Sequence, residues 1–414
     1  MRKVNIEEVV IDQKELLDNK DLGLSRLVNK NKLLSTKQIV VISGIRRSGK
    51  STLFYQIMKH FQKFYYLNFD DERLINFEVA DFQELMIIYK KQYPSNIVFF
   101  DEIQNVEGWE RFVRRIFDEG YKIFITGSNA KLLSSELATH LTGRYIKIEL
   151  FPFSLNELLS FYKIDKNKLT TNIKVEILKL FDLYMENGGF PEFHKYQDTE
   201  FLTRVYEDII YKDLIVRYKI KNVNTIKNLS QYLFTNLSKG LSYSSLKNIL
   251  NIKSTNTVSN YVSFLQESYL VFELFKFNFS LKKQYTSNKK FYVIDTGIRN
   301  LIAFKFSDDL GKLLENIVFI ELKRRQKDVF FYKTRNNKEV DFIYRETDFY
   351  HLFQVSYSLD GNNTRNREVK SLIEADAEIP NCKHSILTYN DEETIVLDDI
   401  RIQVVPIWKW LLAE

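Results

Sequence analysis

The sequence predicts an α/β fold: a parallel sheet built around a phosphate-binding loop, followed by a helical segment and two smaller C-terminal domains. Three observations predict the sheet. Gly44-Ile45-Arg46-Arg47-Ser48-Gly49-Lys50-Ser51 fits the pattern G-x-x-x-x-G-K-[ST] without a mismatch. It lies between a β-branched run, Gln38 to Ser43, and a helical pattern of Leu53, Ile57, Phe61 and Phe64. Ile97-Val98-Phe99-Phe100 is a second apolar run, ending in Asp101-Glu102, and Lys122 to Thr126 is a third, ending in Gly127-Ser128-Asn129. Short apolar runs without alternation read as strands covered on both faces, as in a parallel sheet with helices on either side.

The first run sets the chemistry. Gly44 and Gly49 let the backbone turn sharply and bring N–H groups onto phosphate oxygens, where the new helix adds its positive end. The expected cradle is Gly44, Ile45, Arg46, Arg47, Ser48, Gly49, Lys50, Ser51 and Thr52. Lys50 is expected to reach the β- and γ-phosphates, and the Ser51 hydroxyl to ligate Mg²⁺. At the end of the second run, Asp101 is expected to hold the metal through water. Glu102, turned the other way by strand alternation, polarises the attacking water as general base. The chain therefore reads as a Mg²⁺-dependent nucleoside triphosphatase.

After the third run, Ser128 or Asn129 is placed to orient the γ-phosphate or the lytic water, while Asn129 equally suits a helix N-cap before Ala130. Leu141-Thr142-Gly143-Arg144 precedes a further strand, Tyr145 to Leu150. Two readings stand for Arg144: it reaches transferring phosphate charge, in cis or in a neighbouring subunit, or it makes a surface ion pair.

GIRRSGKST, LNFDDERL at 67–74, FFDEIQNVEGWE at 99–110, TGSNAKLLS at 126–134, LTGR at 141–144, FPFS at 151–154 and NGGFPE at 187–192 follow one another in an order that resembles a known group. These are prokaryotic AAA-type P-loop ATPases, often grouped near the STAND signalling ATPases, with a C-terminal domain of unknown function. The resemblance covers most of the chain. It implies an AAA-type core, ATP as the nucleotide, and Arg144 as a sensing or finger arginine. It also implies that Gly189 and Pro191 form the G-x-P element that couples nucleotide state to the next domain. No guanine-reading N-K-x-D stands where a GTPase needs one.

Composition narrows the classes further. No apolar run reaches membrane-span length, and Met1 to Glu15 has no apolar signal core. Cys382 is the single cysteine, so neither a disulfide framework nor a thiolate metal site is expected. His60, His140, His194, His351 and His384 show no metal-ligand spacing. These features suit a cytoplasmic protein with no membrane partner. A net charge of +6 over 414 residues permits nucleic-acid contact without arguing for it.

The expected divisions are an ATPase core over 1–156, a helical lid over 157–222, a winged helix-turn-helix over 223–300 and a last domain over 301–414. Within the third, helices at Asn228–Leu237, Ser242–Leu250 and Thr255–Tyr269 precede strands Leu270–Phe279 and Lys290–Ile294. Those strands bracket a basic turn with Lys282, Lys283, Lys289 and Lys290. Ser254, Thr255, Asn256, Ser259 and Asn260 begin or face the third helix, where short polar side chains suit phosphates and base edges. DNA is thus one expected partner; a coupling or protein-docking role is the other, and an oligomer fits either.

In the last domain, Glu315 on a helix, Asp341 on a strand and Gln354-Val355-Ser356 on the next resemble the restriction-endonuclease-like fold. Its signature, an acid, then D, then [DE]-x-K, is incomplete here: Gln354 is neutral and Ser356 stands where that fold has its lysine, with Lys370 on the next helix as a candidate substitute. A structural remnant is the favoured reading, and an ATP-gated nuclease using Glu315, Asp341 and Gln354 the alternative.

Overall fold

Residues that are apolar on both faces of a strand must be covered twice, and the first unit of the fold is built accordingly. A computed structural model describes residues 5–18, 20–128, 141–304 and 310–413 and divides into two compact units, Met1–Phe151 and Pro152–Glu414. Asn129 lies outside the described residues. In the first unit five parallel strands, β1 (Ile39–Ser43), β2 (Tyr65–Asn68), β3 (Ile97–Asp101), β4 (Lys122–Gly127) and β5 (Tyr145–Glu149), take the order β2-β3-β4-β1-β5.

Strand alternation sends Ile39, Val41, Val98, Phe100, Ile123 and Ile125 to one face of this sheet. Val40, Ile42, Phe99 and Phe124 go to the other, where Leu53, Phe54 and Ile57 of the helix Lys50–Met58 cover them. Phe99 stacks on Phe124 with centroids 4.5 Å apart, and Phe54 meets Phe99 edge-on at 5.3 Å. Because β4 is inserted between β1 and β3, its carboxyl end delivers Thr126 and Ser128 beside both the glycine loop and the acidic pair.

The second unit opens with helices Leu155–Phe161, Thr171–Asn187, Pro191–Tyr196 and Thr199–Asp208. Helices Val223–Thr235, Tyr243–Ile249 and Thr255–Glu267 follow, then an antiparallel ribbon of β6 (Val271–Leu274) and β7 (Lys290–Val293). Between the ribbon strands lies a helix, Leu281–Thr286, where the sequence suggests a basic turn. A six-stranded mixed sheet completes the unit: β8 (Val329–Lys333), β9 (Glu339–Glu346), β10 (Phe349–Val355), β11 (Cys382–Thr388), β12 (Glu393–Leu397) and β13 (Ile400–Pro406), in the order β12-β13-β11-β10-β9-β8. The segment after β6 joins the edge of this sheet, with Phe277 N donating to Phe331 O at 2.7 Å and Phe331 N to Phe275 O at 3.1 Å. Among the described residues no helix is long and apolar enough to cross a membrane.

The Gly188-Gly189 step shows how tightly this unit is tied. Asp295 caps the helix Thr296–Ile302 and accepts from the amides of Gly297 and Ile298 with Oδ1 and, at 2.7 Å, from Gly189 with Oδ2. Gly188 has φ +72, and a Cβ there would fall 2.0 Å from Asp295 Oδ1. Gly188→Ala therefore combines left-handed strain with displacement of a buried carboxylate. We expect a loss of more than about 3 kcal/mol, read as a lower urea midpoint of the full chain, and an unchanged midpoint would count against this account.

Candidate nucleotide site

Gly44 closes β1 at φ +154, and a Cβ there would lie 2.1 Å from the Leu150 carbonyl oxygen. Gly49 precedes the helix Lys50–Met58 at φ +92. Backbone of this shape, with no room for a side chain at Gly44, leaves the loop's N–H groups at a helix start, where anions bind. Lys50 is buried, its Nζ 3.2 Å from Gly44 O, 3.1 Å from Ile45 O and 3.9 Å from Glu102 Oε1. The Ser48 hydroxyl is buried without a hydrogen-bond partner.

Asp101 is fully buried at the end of β3. Thr126 Oγ1 donates to its Oδ1, while Oδ2 is buried without a partner. Burial, together with the Glu102 charge, pushes the Asp101 carboxyl up to about 6, against the pull of the Thr126 and Ser51 hydroxyls and Lys50. An orphaned carboxylate oxygen beside a serine hydroxyl is a donor set that suits a hard divalent cation such as Mg²⁺. The residues present therefore fit the metal.

Glu102 reaches the site by a different route from simple strand alternation. β3 ends at Asp101, and Glu102 sits in the left-handed region at φ 52, ψ 41. Its N–H donates to Thr126 Oγ1 at 3.1 Å, which holds the turn. Oε2 accepts from Gln104 Nε2 and from the Ser128 N–H at 3.3 Å. Burial acts to raise this carboxyl, but Lys50, Gln104, Arg46 and Ser128 outweigh it and hold it below the usual range. Glu102 is thus an ionised carboxylate and a strained residue at once, the combination expected of a site rather than of a surface loop.

The structure brings Lys50, Ser51, Asp101, Glu102 and Ser128 together at the carboxyl edge of the sheet. Arg144 is not among them. β5 runs parallel to β1 with Ile39 opposite Tyr145 and Ser43 opposite Glu149, and Ile39 N donates to Arg144 O at 2.8 Å. Arg144 is therefore at the amino edge, a full strand of roughly 16 Å from the loop. Its guanidinium pairs with Asp118, Nε to Oδ1 at 3.6 Å, and not with the groups around the glycine loop.

Gly189 and Pro191 belong to the second unit. Gly189 N is engaged by Asp295 and its carbonyl by Phe153 N at 2.7 Å, while Pro191 starts the helix Pro191–Tyr196 and has no N–H. These bonds give both residues a structural task inside the second unit.

Two residues of the site carry no sequence signal. Gln104 bridges Glu102 and Ser128, reaching Ser128 Oγ at 3.5 Å. Arg26 is buried, donating from Nη1 to Ser48 O and from Nη2 to Phe151 O, both at 2.7 Å. Truncation to Arg26→Met leaves those carbonyls unsatisfied behind the glycine loop. It is expected to cost about 1–3 kcal/mol in urea unfolding and to weaken nucleotide binding in a fluorescent-ATP titration. Wild-type values in both assays would remove Arg26 from the site.

A phosphate-gripping loop, an ionised glutamate and a metal-suited aspartate on a five-stranded parallel sheet define a P-loop NTPase core. Residues 36–159 match the AAA domain, and 178–309 and 310–410 match two domains of unknown function. An uncharacterized protein of Methanocaldococcus jannaschii is 39% identical across 100% of this chain and 96% of its own length. One from Haemophilus influenzae is 32% identical, covering 91% of this chain and 95% of its own. The chain belongs to this prokaryotic family of AAA-type P-loop ATPases with C-terminal domains of unknown function. Among solved structures, a Walker-type ATPase of Pyrococcus abyssi is 14% identical over 72% of this chain and 96% of that one, with a TM-score of 0.41, too low to bear on function.

Proposed function

We propose that the chain is a Mg²⁺-dependent ATPase that uses nucleotide binding and hydrolysis as a switch. The observation that carries this reading is the meeting of Lys50, Ser51, Asp101 and Glu102 at one sheet edge, with Glu102 held ionised. Lys50 and the loop amides bind the phosphates, and Ser51 with Asp101 would hold Mg²⁺, whose charge offsets that developing on the phosphates. Glu102 takes a proton from the attacking water, and Ser128 with Gln104 fixes its carboxylate. Arg144, at the opposite edge, would serve only a neighbouring copy's nucleotide.

DNA is the proposed effector of the switch. Thr255, Asn256 and Asn260 are exposed on the helix Thr255–Glu267, and Lys282 and Lys283 are exposed on the ribbon helix. The basic surface is smaller than the sequence suggests. Lys289 Nζ lies over the Tyr243 ring at 4.6 Å, and Lys290 is buried among carboxylates. The test is the steady-state ATP hydrolysis rate with and without duplex DNA across a salt series, with Glu102→Gln as the blank. Stimulation that fades as salt rises supports the reading. A rate indifferent to DNA turns the switch toward a protein partner.

The nuclease alternative fares less well. Glu315, Asp341 and Gln354 do converge, but Lys290 Nζ stands between the carboxylates, and Lys370 is exposed to solvent. Gln354 serves as scaffold, accepting from Asp341 N at 2.8 Å and donating to Glu368 Oε2 at 2.8 Å. A remnant, held by a buried ionic and amide network, is the reading these contacts favour.

A further inference from the structure

We propose that Asp376, Cys382 and His384 form a site for one zinc-class divalent ion, a borderline cation that takes oxygen, sulfur and nitrogen together. The helix Asn362–Asp376 ends at Asp376, and β11 begins at Cys382. Two residues apart on that strand, Cys382 and His384 share a face, which is turned to the helix end. One donor atom from each of the three lies within 4.8 Å of the others. A tetrahedral zinc shell sets its donors about 3 to 4 Å apart, so a small closure completes three-point ligation.

His384 gives the independent sign that a ligand belongs here. It is 6% exposed, and its Nε2 lies 2.9 Å from Asp376 Oδ1, so two of the three donor atoms already face each other across room for one proton or one cation. The ring also bonds the Arg401 backbone. A backbone carbonyl is a common second partner of a metal-bound imidazole, and an ion here would take the place of the proton between His384 and Asp376. Asp376 and Cys382 are half-buried, which leaves a way in and a fourth position for water. The Cys382 thiol donates to Ile379 O at 3.2 Å. On metal binding that bond breaks, the thiol proton passes to solvent, and the thiolate takes the ion with no change of oxidation state.

A single cysteine in 414 residues makes the test clean. The untagged full-length chain, reduced and metal-stripped, is titrated with Co²⁺ and followed in the near ultraviolet and visible. Any thiolate-to-cobalt charge-transfer band must come from Cys382, because the phosphate-loop residues offer no sulfur. The expected result is one such band saturating at one Co²⁺ per chain, bleached by Zn²⁺, and lost in both Cys382→Ser and His384→Ala. Excess Zn²⁺ is also expected to slow alkylation of Cys382 in the wild-type chain, a readout that needs no variant to fold. No band, or a band retained without His384, overturns the proposal. So does saturation at one Co²⁺ per two chains, which would make Cys382 a bridge between copies.

Discussion

Glu102→Gln is expected to lower kcat for ATP hydrolysis by about 10²–10⁴-fold while nucleotide affinity stays within a few-fold of wild type. The size of the effect follows from what the carboxylate is. Its charge is preserved in a half-buried position by Lys50 at 3.9 Å and by the donors of Gln104 and Ser128. Gln has the same shape and can still occupy the left-handed turn, but it has no basic oxygen for a water proton. The phosphate grip lies elsewhere, in Lys50 and the loop amides, so binding is spared. Single-turnover hydrolysis and a fluorescent-nucleotide titration separate the two quantities. Hydrolysis at the wild-type rate would sink the general-base assignment, and a large loss of affinity would recast Glu102 as a binding residue.

Lys290→Met is expected to cost the full chain about 3–5 kcal/mol of stability at neutral pH, the range seen when one partner of a buried ionic cluster is removed. Lys290 Nζ lies 2.8 Å from Glu339 Oε1, 2.9 Å from Glu315 Oε1 and 3.2 Å from Asp341 Oδ1. Tyr292 OH donates to the same Glu315 oxygen at 2.6 Å. Methionine keeps the apolar stem and takes this cation from Glu315 and Asp341, while Glu339 keeps Lys333 at 3.0 Å.

The pH dependence has a defined sign. Burial, with Glu315 nearby, pushes Asp341 from the ordinary 3.8 up to about 8. A carboxyl raised in this way stabilises fully below its unfolded value, and that contribution is lost as pH rises toward about 8. Glu339 is held low in the wild type: burial acts to raise it, and Lys290, with Lys333 beside it, outweighs burial. Without Lys290 it too moves up, so the variant's stability falls more steeply with rising pH than the wild type's. Urea midpoints across the pH range measure both the offset and the slope. An equal slope in the two proteins would mean that Lys290 does not set these carboxyls.

What could be read from the sequence was whatever the chain encodes within a few residues. The glycine loop, the apolar strand ending in Asp101-Glu102 and the strand before Ser128 are local patterns with a direct physical meaning, and they meet at one sheet edge. Lys290 shows the opposite case. Beside Lys289 it looks like part of a solvated basic turn, and only partners 25 and 51 residues away bury it. Arg144 sits on a glycine turn suited to a phosphate, yet the parallel pairing of β5 with β1 puts that turn at the wrong end of the sheet. β2 and β11–β13 carry weak local signals: Tyr65-Tyr66-Leu67-Asn68 is short, and Cys382–Pro406 mixes polar and apolar residues without a clean period. Arg26 was invisible because its work is done through backbone carbonyls of distant residues, which no residue pattern announces.

The pairing of Phe275 and Phe277 with Phe331 at the edge of the six-stranded sheet bears on where this part of the protein can be divided. The two family-level regions meet at residues 309 and 310, a seam that looks like a place to cut or shuffle. In the fold no seam is there: the segment after β6 closes an open sheet margin, and β7 carries the cation for acids on the far side of that boundary. A copy of 310–410 moved to another protein would arrive with an uncovered strand and unneutralised buried charge, a combination that invites aggregation. Separation of the two regions at that boundary would have to replace both the margin and the counter-charge.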